Sequence, residues 1–299
     1  MTRSESWKKK FVKFRRQKEL QFFALAGVAY LIIFSIIPMF GIILAFKSYK
    51  ITAGISGIFT SEWVGLKYFK EFFSDYRFWE LLRNTIVLSS LKMIFAFPVP
   101  IILAILISEC RNEKFKRVIQ TASYLPNFVS WVLVYGISTA LLSQGKGAIN
   151  QLLVHMGIID SGIPFLTDPN MFWGTSVVLS IWKSSGWWAI IFLAAISGID
   201  KTLYEAASID GAGRLKRIWH ITLPGIKPVF IMMLILDCGK IFNSDFGLFY
   251  QVTGGIPQSL YTTVSTFDTY VYNAIQSTAP IGQTAAASFF QAICSCGMI

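Results

Sequence analysis

Charge and reactive side chains are what this chain has least of. Asp, Glu, Lys and Arg make up only 14% of its 299 residues, against 54% apolar. Its two histidines, His155 and His220, fall in separate loops. The four cysteines, Cys110, Cys238, Cys294 and Cys296, lie in or beside apolar stretches without paired ligand spacing. Neither a metal centre nor the disulfide framework of a small secreted domain is expected from such a set. The G-x-x-x-x-G-K-[ST] phosphate loop is also missing, because Gly145-Lys146 is followed by Gly147 and has no glycine upstream at the required spacing. Without that cradle the chain is not expected to hydrolyse ATP.

What the chain has instead is long apolar blocks. Residues 20–46 contain no charged side chain, and at about 1.5 Å per residue that stretch exceeds a hydrocarbon core of roughly 30 Å. Further blocks cover residues 84–108, 127–144, 172–198, 228–250 and 283–299. The fold class expected is an all-α membrane protein with six transmembrane helices forming one domain over residues 20–299. Ala24-Leu25-Ala26 resembles a signal-peptide cleavage site, but the apolar run continues well beyond it, so an uncleaved first helix is expected. The last block stops at Ile299 without a basic flank, which leaves room for a further tail.

The net charge of +11 would suit nucleic acid if it formed a surface patch. Much of it sits instead in Lys8, Lys9, Lys10, Lys13, Arg15, Arg16 and Lys18, directly before the first apolar block. Residues 1–19 therefore read as a basic cytoplasmic segment at the lipid surface. Arg111, Lys114, Lys116 and Arg117 crowd one short loop, whereas residues 145–170 carry Asp160 and Asp168 against Lys146. Both termini are thus expected in the cytoplasm. Residues 47–83 would lie outside, a strand-like run over 48–60 and a helical pattern over 68–82 forming a small cap. Pro98 and Pro100 interrupt the second block, and Pro126 separates a short helix over 116–124 from the third.

The loop 201–224 has its own local logic. Residues 203–210 favour helix, Gly211 and Gly213 permit a sharp stop, and residues 214–221 can form a second short helix before Pro224 opens the next span. Two short helices at an angle would offer small side chains at Ala206 and Ala207, carboxylates, and an apolar contact at Ile209. A docking knob and an ordinary basic connector both fit this pattern.

Over this same loop, Glu205-Ala206-Ala207, then Gly211, then Ile221-x-Leu223-Pro224, the chain resembles the permeases of bacterial binding-protein-dependent ABC importers. Ile37-Pro38-Met39-Phe40-Gly41, Val64-Gly65-Leu66, Phe78-Trp79, Asn84-Thr85, Tyr124-Leu125-Pro126 and Ile181-Trp182-Lys183 extend the resemblance to the carbohydrate branch, and more narrowly to polysaccharide or oligosaccharide permeases. The resemblance implies that Glu205, Ala206, Ala207, Ser208, Ile209, Asp210, Gly211, Ala212 and Gly213 form a coupling helix seated in an ATP-binding subunit. Ile221, Leu223 and Pro224 would be its scaffold. It further implies a second, non-identical permease, two ATP-binding cassette subunits that use ATP and Mg, an external solute-binding protein, a carbohydrate substrate and a bacterial inner-membrane location.

Candidates for the substrate path lie in the fourth and fifth blocks. Asp237, Lys240 and Ser244 share one face at helical spacing, with Asn243, Asp245, Phe242, Phe246 and Tyr250 close by. They could wall a polar cavity with aromatic platforms for sugar, or Asp237 could simply pair with Lys240. Lys183 lies between Trp182 and Trp187-Trp188, where it could bind a uronate carboxylate or pair with Asp237. Lys92 is expected nearer the outer face, free to snorkel. A secondary carrier relaying ions through Lys183, Asp237 and Lys240 is the competing reading.

Overall fold

The computed structural model describes residues 17–299 except 256 and 278. Much of the basic segment, Lys8 to Arg16, lies outside the described residues. In chain order the main helices are α1 Lys18–Phe46, α2 Gly54–Thr60, α3 Lys67–Ser74, α4 Arg77–Ser108, α5 Glu113–Phe128, α6 Trp131–Leu142, α7 Ala148–His155, α8 Pro169–Ser197, α9 Lys201–Ile209, α10 Arg214–Cys238, α11 Phe267–Gln276 and α12 Ile281–Met298. Four of them, α1, α4, α8 and α10, are long and apolar enough to cross a membrane. A fifth crossing results if α5 and α6, bent by 106°, make one broken span. The fold is thus an all-helical membrane protein.

Three of these long helices carry proline inside apolar runs, and each absorbs it in the same way. A π-helical turn precedes the ring: Ile32–Ile36 before Pro38, Lys92–Ala96 before Pro98, and Ile218–Thr222 before Pro224. Proline removes one N–H and drives its ring against the carbonyl four residues back. The wider π turn relieves that clash, so α1, α4 and α10 continue through the proline without breaking. The expected short helix over 214–221 is accordingly continuous with the following span. It ends only at Cys238, not near 250.

The residues fall into two compact units. The first comprises 1–72 and 279–289. Here α1 keeps its side chains exposed, as a lipid-facing helix does, and aromatic packing among Phe46, Trp63, Phe69 and Phe289 gathers its far end. The strand expected over 48–60 is instead a 3₁₀ turn, Ile51–Ala53, followed by α2. The buried Lys47 ammonium decides this by donating to the Ile58 and Phe59 carbonyls at 2.9 and 2.8 Å, which caps the α2 C-terminus. Only a single antiparallel bridge, Lys47 to Trp63, is present among the described residues.

The second unit comprises 73–278 and 290–299. Its mast is α8, and α4, α5 and α10 pack along it. Ile101, Ala104, Ile107, Ala189, Phe192, Leu193, Ile226 and Met233 form one buried apolar cluster. Leu88, Val134, Phe172, Leu179, Phe249 and Val264 belong to another. The buried Asn84 amide donates to the Thr262 and Ser265 carbonyls at 2.8 and 3.0 Å and, with Trp173 Nε1 on Thr263, latches the 260–266 segment onto α4 and α8.

The third span was expected as one helix over 127–144. It is instead a 3₁₀ turn, an extended break at Val129-Ser130, and the twelve-residue α6, capped by the Ser130 hydroxyl. At about 1.5 Å per residue α6 alone is too short to cross. The α5 side of the break lies so close to α8 that a Cβ on Gly186 would collide with the Ser123 carbonyl. Gly186→Leu should therefore destabilise the fold by at least about 1–3 kcal/mol, read as a lowered thermal midpoint of the purified complex, while substitution of Gly174, which has open space around it, should leave that midpoint unchanged.

Candidate functional site

Two regions of the second unit gather the sequence candidates. The first is the elbow from 201 to 224. Asp200 caps α9 by accepting from Thr202 N–H at 2.9 Å, and this bond holds the Asp200 carboxyl below the usual carboxylate range. At the other end Gly211 takes φ +75°, open to glycine at no steric cost. Ala212 N–H reaches the Ala207 carbonyl at 2.8 Å, and Gly211 N–H reaches Ser208 at 3.2 Å. These two bonds form a Schellman stop. Gly213 is the N-cap of α10, so only residues 210–213 separate the two helices.

Two side-chain contacts brace the elbow. Tyr204 Oη and Thr222 Oγ1 lie 2.9 Å apart, and Arg217 donates to the Ser208 hydroxyl at 3.0 Å. Glu205, Ala206, Ile209, Asp210 and Gly213 are exposed, and Ala207 and Ala212 half-buried. Ile209 is 87% and Leu215 82% exposed, and Glu205 and Asp210 make no ion pair among the described residues. Small, acidic and apolar surface is thus held out together on a stiff turn. Ile221 and Leu223 are half-buried at the root and Pro224 is exposed.

The second region is a cavity of about 360 Å³. It brings together Lys183, Trp188, Asp237, Lys240, Asn243 and Asp245 from the sequence candidates, and adds Lys92, Asn127, Trp131, Ser180 and Ser184. Trp182 and Trp187 do not line it. They are each 41% exposed, with Trp187 edge-on to Phe128. Phe242 and Phe246 also stay out of the lining: Phe242 packs toward Phe267, and Phe246 stacks on Tyr250 beside Tyr272.

The charges are not arranged as helical spacing suggested. Because α10 ends at Cys238, Asp237, Lys240 and Ser244 do not share a helix face. Residues 239–245 run as i→i+3 turns and extended chain. No ion pair joins Asp237 to Lys240 or to Lys183 among the described residues. Lys183 instead donates to the carbonyls of Asn127 and Val129, at 2.9 and 2.6 Å, on the break between α5 and α6. Its ammonium also sits 5.2 Å from the Trp131 ring, as Lys240 does over Trp188. Lys92 does not snorkel: it turns into the cavity, 4.9 Å from Phe249, with Asp245, Asp237 and Asp268 as its electrostatic neighbours. Three lysines and two aspartates line the cavity, and Asp268 is a third carboxylate near Lys92.

Sequence reasoning missed Lys92 because a lysine in an apolar run says nothing of which way it turns. The Trp131 and Asn127 contributions depend on the 106° bend. The one signal for that bend was Pro126.

Comparison with known proteins adds to this geometry. The family described as "Binding-protein-dependent transport system inner membrane component" matches residues 83–299. The chain is 41% identical over 290 residues, 97% of its length and 88% of the relative's, to the polygalacturonan/rhamnogalacturonan transport system permease protein YteP of Bacillus subtilis (strain 168). It superposes with a TM-score of 0.86 and 31% identity, covering 97% of this chain and 95% of the other, on a chain of a bacterial ABC transporter involved in the import of the acidic polysaccharide alginate. A bacterial alginate transporter in complex with alginate pentasaccharide-bound periplasmic protein matches at a TM-score of 0.85 and 31% identity, covering 96% and 93%.

Lys183 is the side chain that satisfies the broken backbone. Lys183→Met should strand the Asn127 and Val129 carbonyls and destabilise the fold by about 2 kcal/mol. Lys183→Arg should recover most of that loss in a thermal-denaturation series.

Proposed function

The chain belongs to the family of binding-protein-dependent transport system inner membrane components, and from that premise we propose that it is one permease half of an ATP-driven importer of acidic oligo- or polysaccharides. At the coarser level it is a non-catalytic inner-membrane permease of a carbohydrate ABC importer. The observation that carries the finer reading is the cavity lining, with three lysines, two aspartates and the indoles of Trp131 and Trp188. Cations suit a uronate carboxylate, and flat rings suit the apolar face of a sugar. The solved relatives import an acidic polysaccharide, which supports the same class.

In this reading six crossings place both termini in the cytoplasm, with α12 as the sixth. A second permease stands beside this one, two ATP-binding cassette subunits use ATP and Mg below, and an external binding protein delivers the sugar. A relative seen with a sugar-bound periplasmic protein favours that arrangement. The exposed surface from Glu205 to Gly213 seats in the ATP-binding subunit. Because α10 runs unbroken from Arg214 to Cys238, motion taken up at the elbow reaches Asp237 in the cavity wall directly. The cavity then opens to alternate sides as that subunit closes and reopens.

Proteoliposomes holding the assembled complex test this reading. Uptake of a galacturonate pentasaccharide should require ATP on the cytoplasmic side and survive collapse of ion gradients; uptake driven by a gradient without ATP would establish a secondary carrier instead. Glu205→Ala combined with Gly211→Val, which adds roughly 1–2 kcal/mol of left-handed strain, should leave ATP hydrolysis and abolish uptake. Undiminished uptake would sink the coupling role. Lys240→Met should raise the KM for the uronate sugar several-fold and leave that of its carboxyl-reduced counterpart unchanged.

A further inference from the structure

The broken segment after α10 is held by a polar chain whose members lie on three separate elements. Asp268, in the first turn of α11, accepts from Ser244 N–H at 2.7 Å and Ser244 Oγ–H at 2.5 Å through Oδ2, and from Gln291 Nε2 at 3.0 Å through Oδ1. Gln291, on α12 and only 7% exposed, gives the same nitrogen to the Phe242 carbonyl at 2.8 Å and to Asn243 Oδ1 at 3.0 Å. Three acceptors around one amide nitrogen settle which way the Gln291 amide points. Reversed, its oxygen would face a carbonyl, an amide oxygen and a carboxylate.

That choice settles the next one. Asn243 turns Oδ1 toward Gln291, so its Nδ2 is directed away from it, and Asn243 lines the cavity beside Lys240 and Asp245. Among the described residues no protein acceptor takes this N–H2. A free amide donor, pre-aligned at the wall, matches a sugar hydroxyl or a uronate oxygen.

We propose that Asp268 is a positioning residue for substrate recognition: through Gln291 it holds the Asn243 amide with its N–H2 presented to the cavity as a hydrogen-bond donor to the sugar. The assignment rests on the cavity being the sugar's path. Asp268 itself meets no substrate, and its effect is read through Asn243. A carboxylate that merely fastened the loop would act on folding and turnover, not on the strength of substrate binding.

The test is a double-mutant cycle in the assembled complex in proteoliposomes, with the galacturonate pentasaccharide and its carboxyl-reduced counterpart as probes. Asn243→Ala and Asp268→Asn should each raise KM by about three- to ten-fold with maximal velocity within about twofold of wild type. The double variant should be no worse in KM than the poorer single one, because both act through one donor. Gln291→Met breaks the same relay at its middle and substitutes for Asp268→Asn if that variant does not assemble. An unchanged KM in Asn243→Ala, or KM effects that multiply in the double variant, overturns the assignment while leaving the substrate reading intact. A wild-type complex that takes up neither sugar overturns both.

Discussion

A helix interrupted at membrane depth frees backbone groups that hydrocarbon cannot satisfy, and the protein itself must pair them. Two interruptions wall the cavity of this chain, and each is closed by side chains from other helices. Lys183 on α8 takes the carbonyls of Asn127 and Val129 at the bend between α5 and α6. Beyond α10, Ser89 takes the Ile241 carbonyl at 2.6 Å, Gln291 takes Phe242, and Asp268 receives Ser244 N–H. The character of the cavity follows from these closures. Lys183 is held there by carbonyl dipoles and not by a carboxylate.

The elbow and the cavity are two ends of one rod. The π turn at Ile218–Thr222 lets α10 pass Pro224 without breaking, so the elbow is continuous with a helix whose last turn carries Asp237. The Tyr204 to Thr222 and Arg217 to Ser208 contacts tie α9 to the base of that rod. Gly225, where a side chain would strike Ile199, keeps the base closely packed. At the elbow, Ile209 and Leu215 are exposed, and Glu205 and Asp210 stay outside any ion pair among the described residues.

Features governed by chemistry within one turn of chain were legible in the sequence. The membrane class is carried by the long apolar blocks, the first of which, 20–46, is uncharged and longer than a bilayer core. The helix stop at Gly211 rests on a residue that tolerates positive φ, and the elbow formed as its glycines required. The apolar blocks misled where polarity was diluted by neighbours: 228–250 reads as one span, yet Gly239 and the charged residues after it end the helix at Cys238. The strand reading of 48–60 failed for a related reason, since the Lys47 ammonium that caps α2 lies eleven and twelve residues from its acceptors.

The sequence by itself determined that this is a lipid-embedded helical chain with a glycine-stopped elbow between two of its helices, because apolar length, proline position and glycine backbone freedom are properties of a residue and its near neighbours. Only the tertiary structure decided which polar groups meet. Lys183 finds carbonyls more than fifty residues away and not Asp237, Lys92 turns inward, and Asp268 and Gln291, unremarkable in the sequence, control the amide of Asn243. Those partnerships depend on where separate helices bend and how closely they pack, and the distances involved are set by the whole second unit.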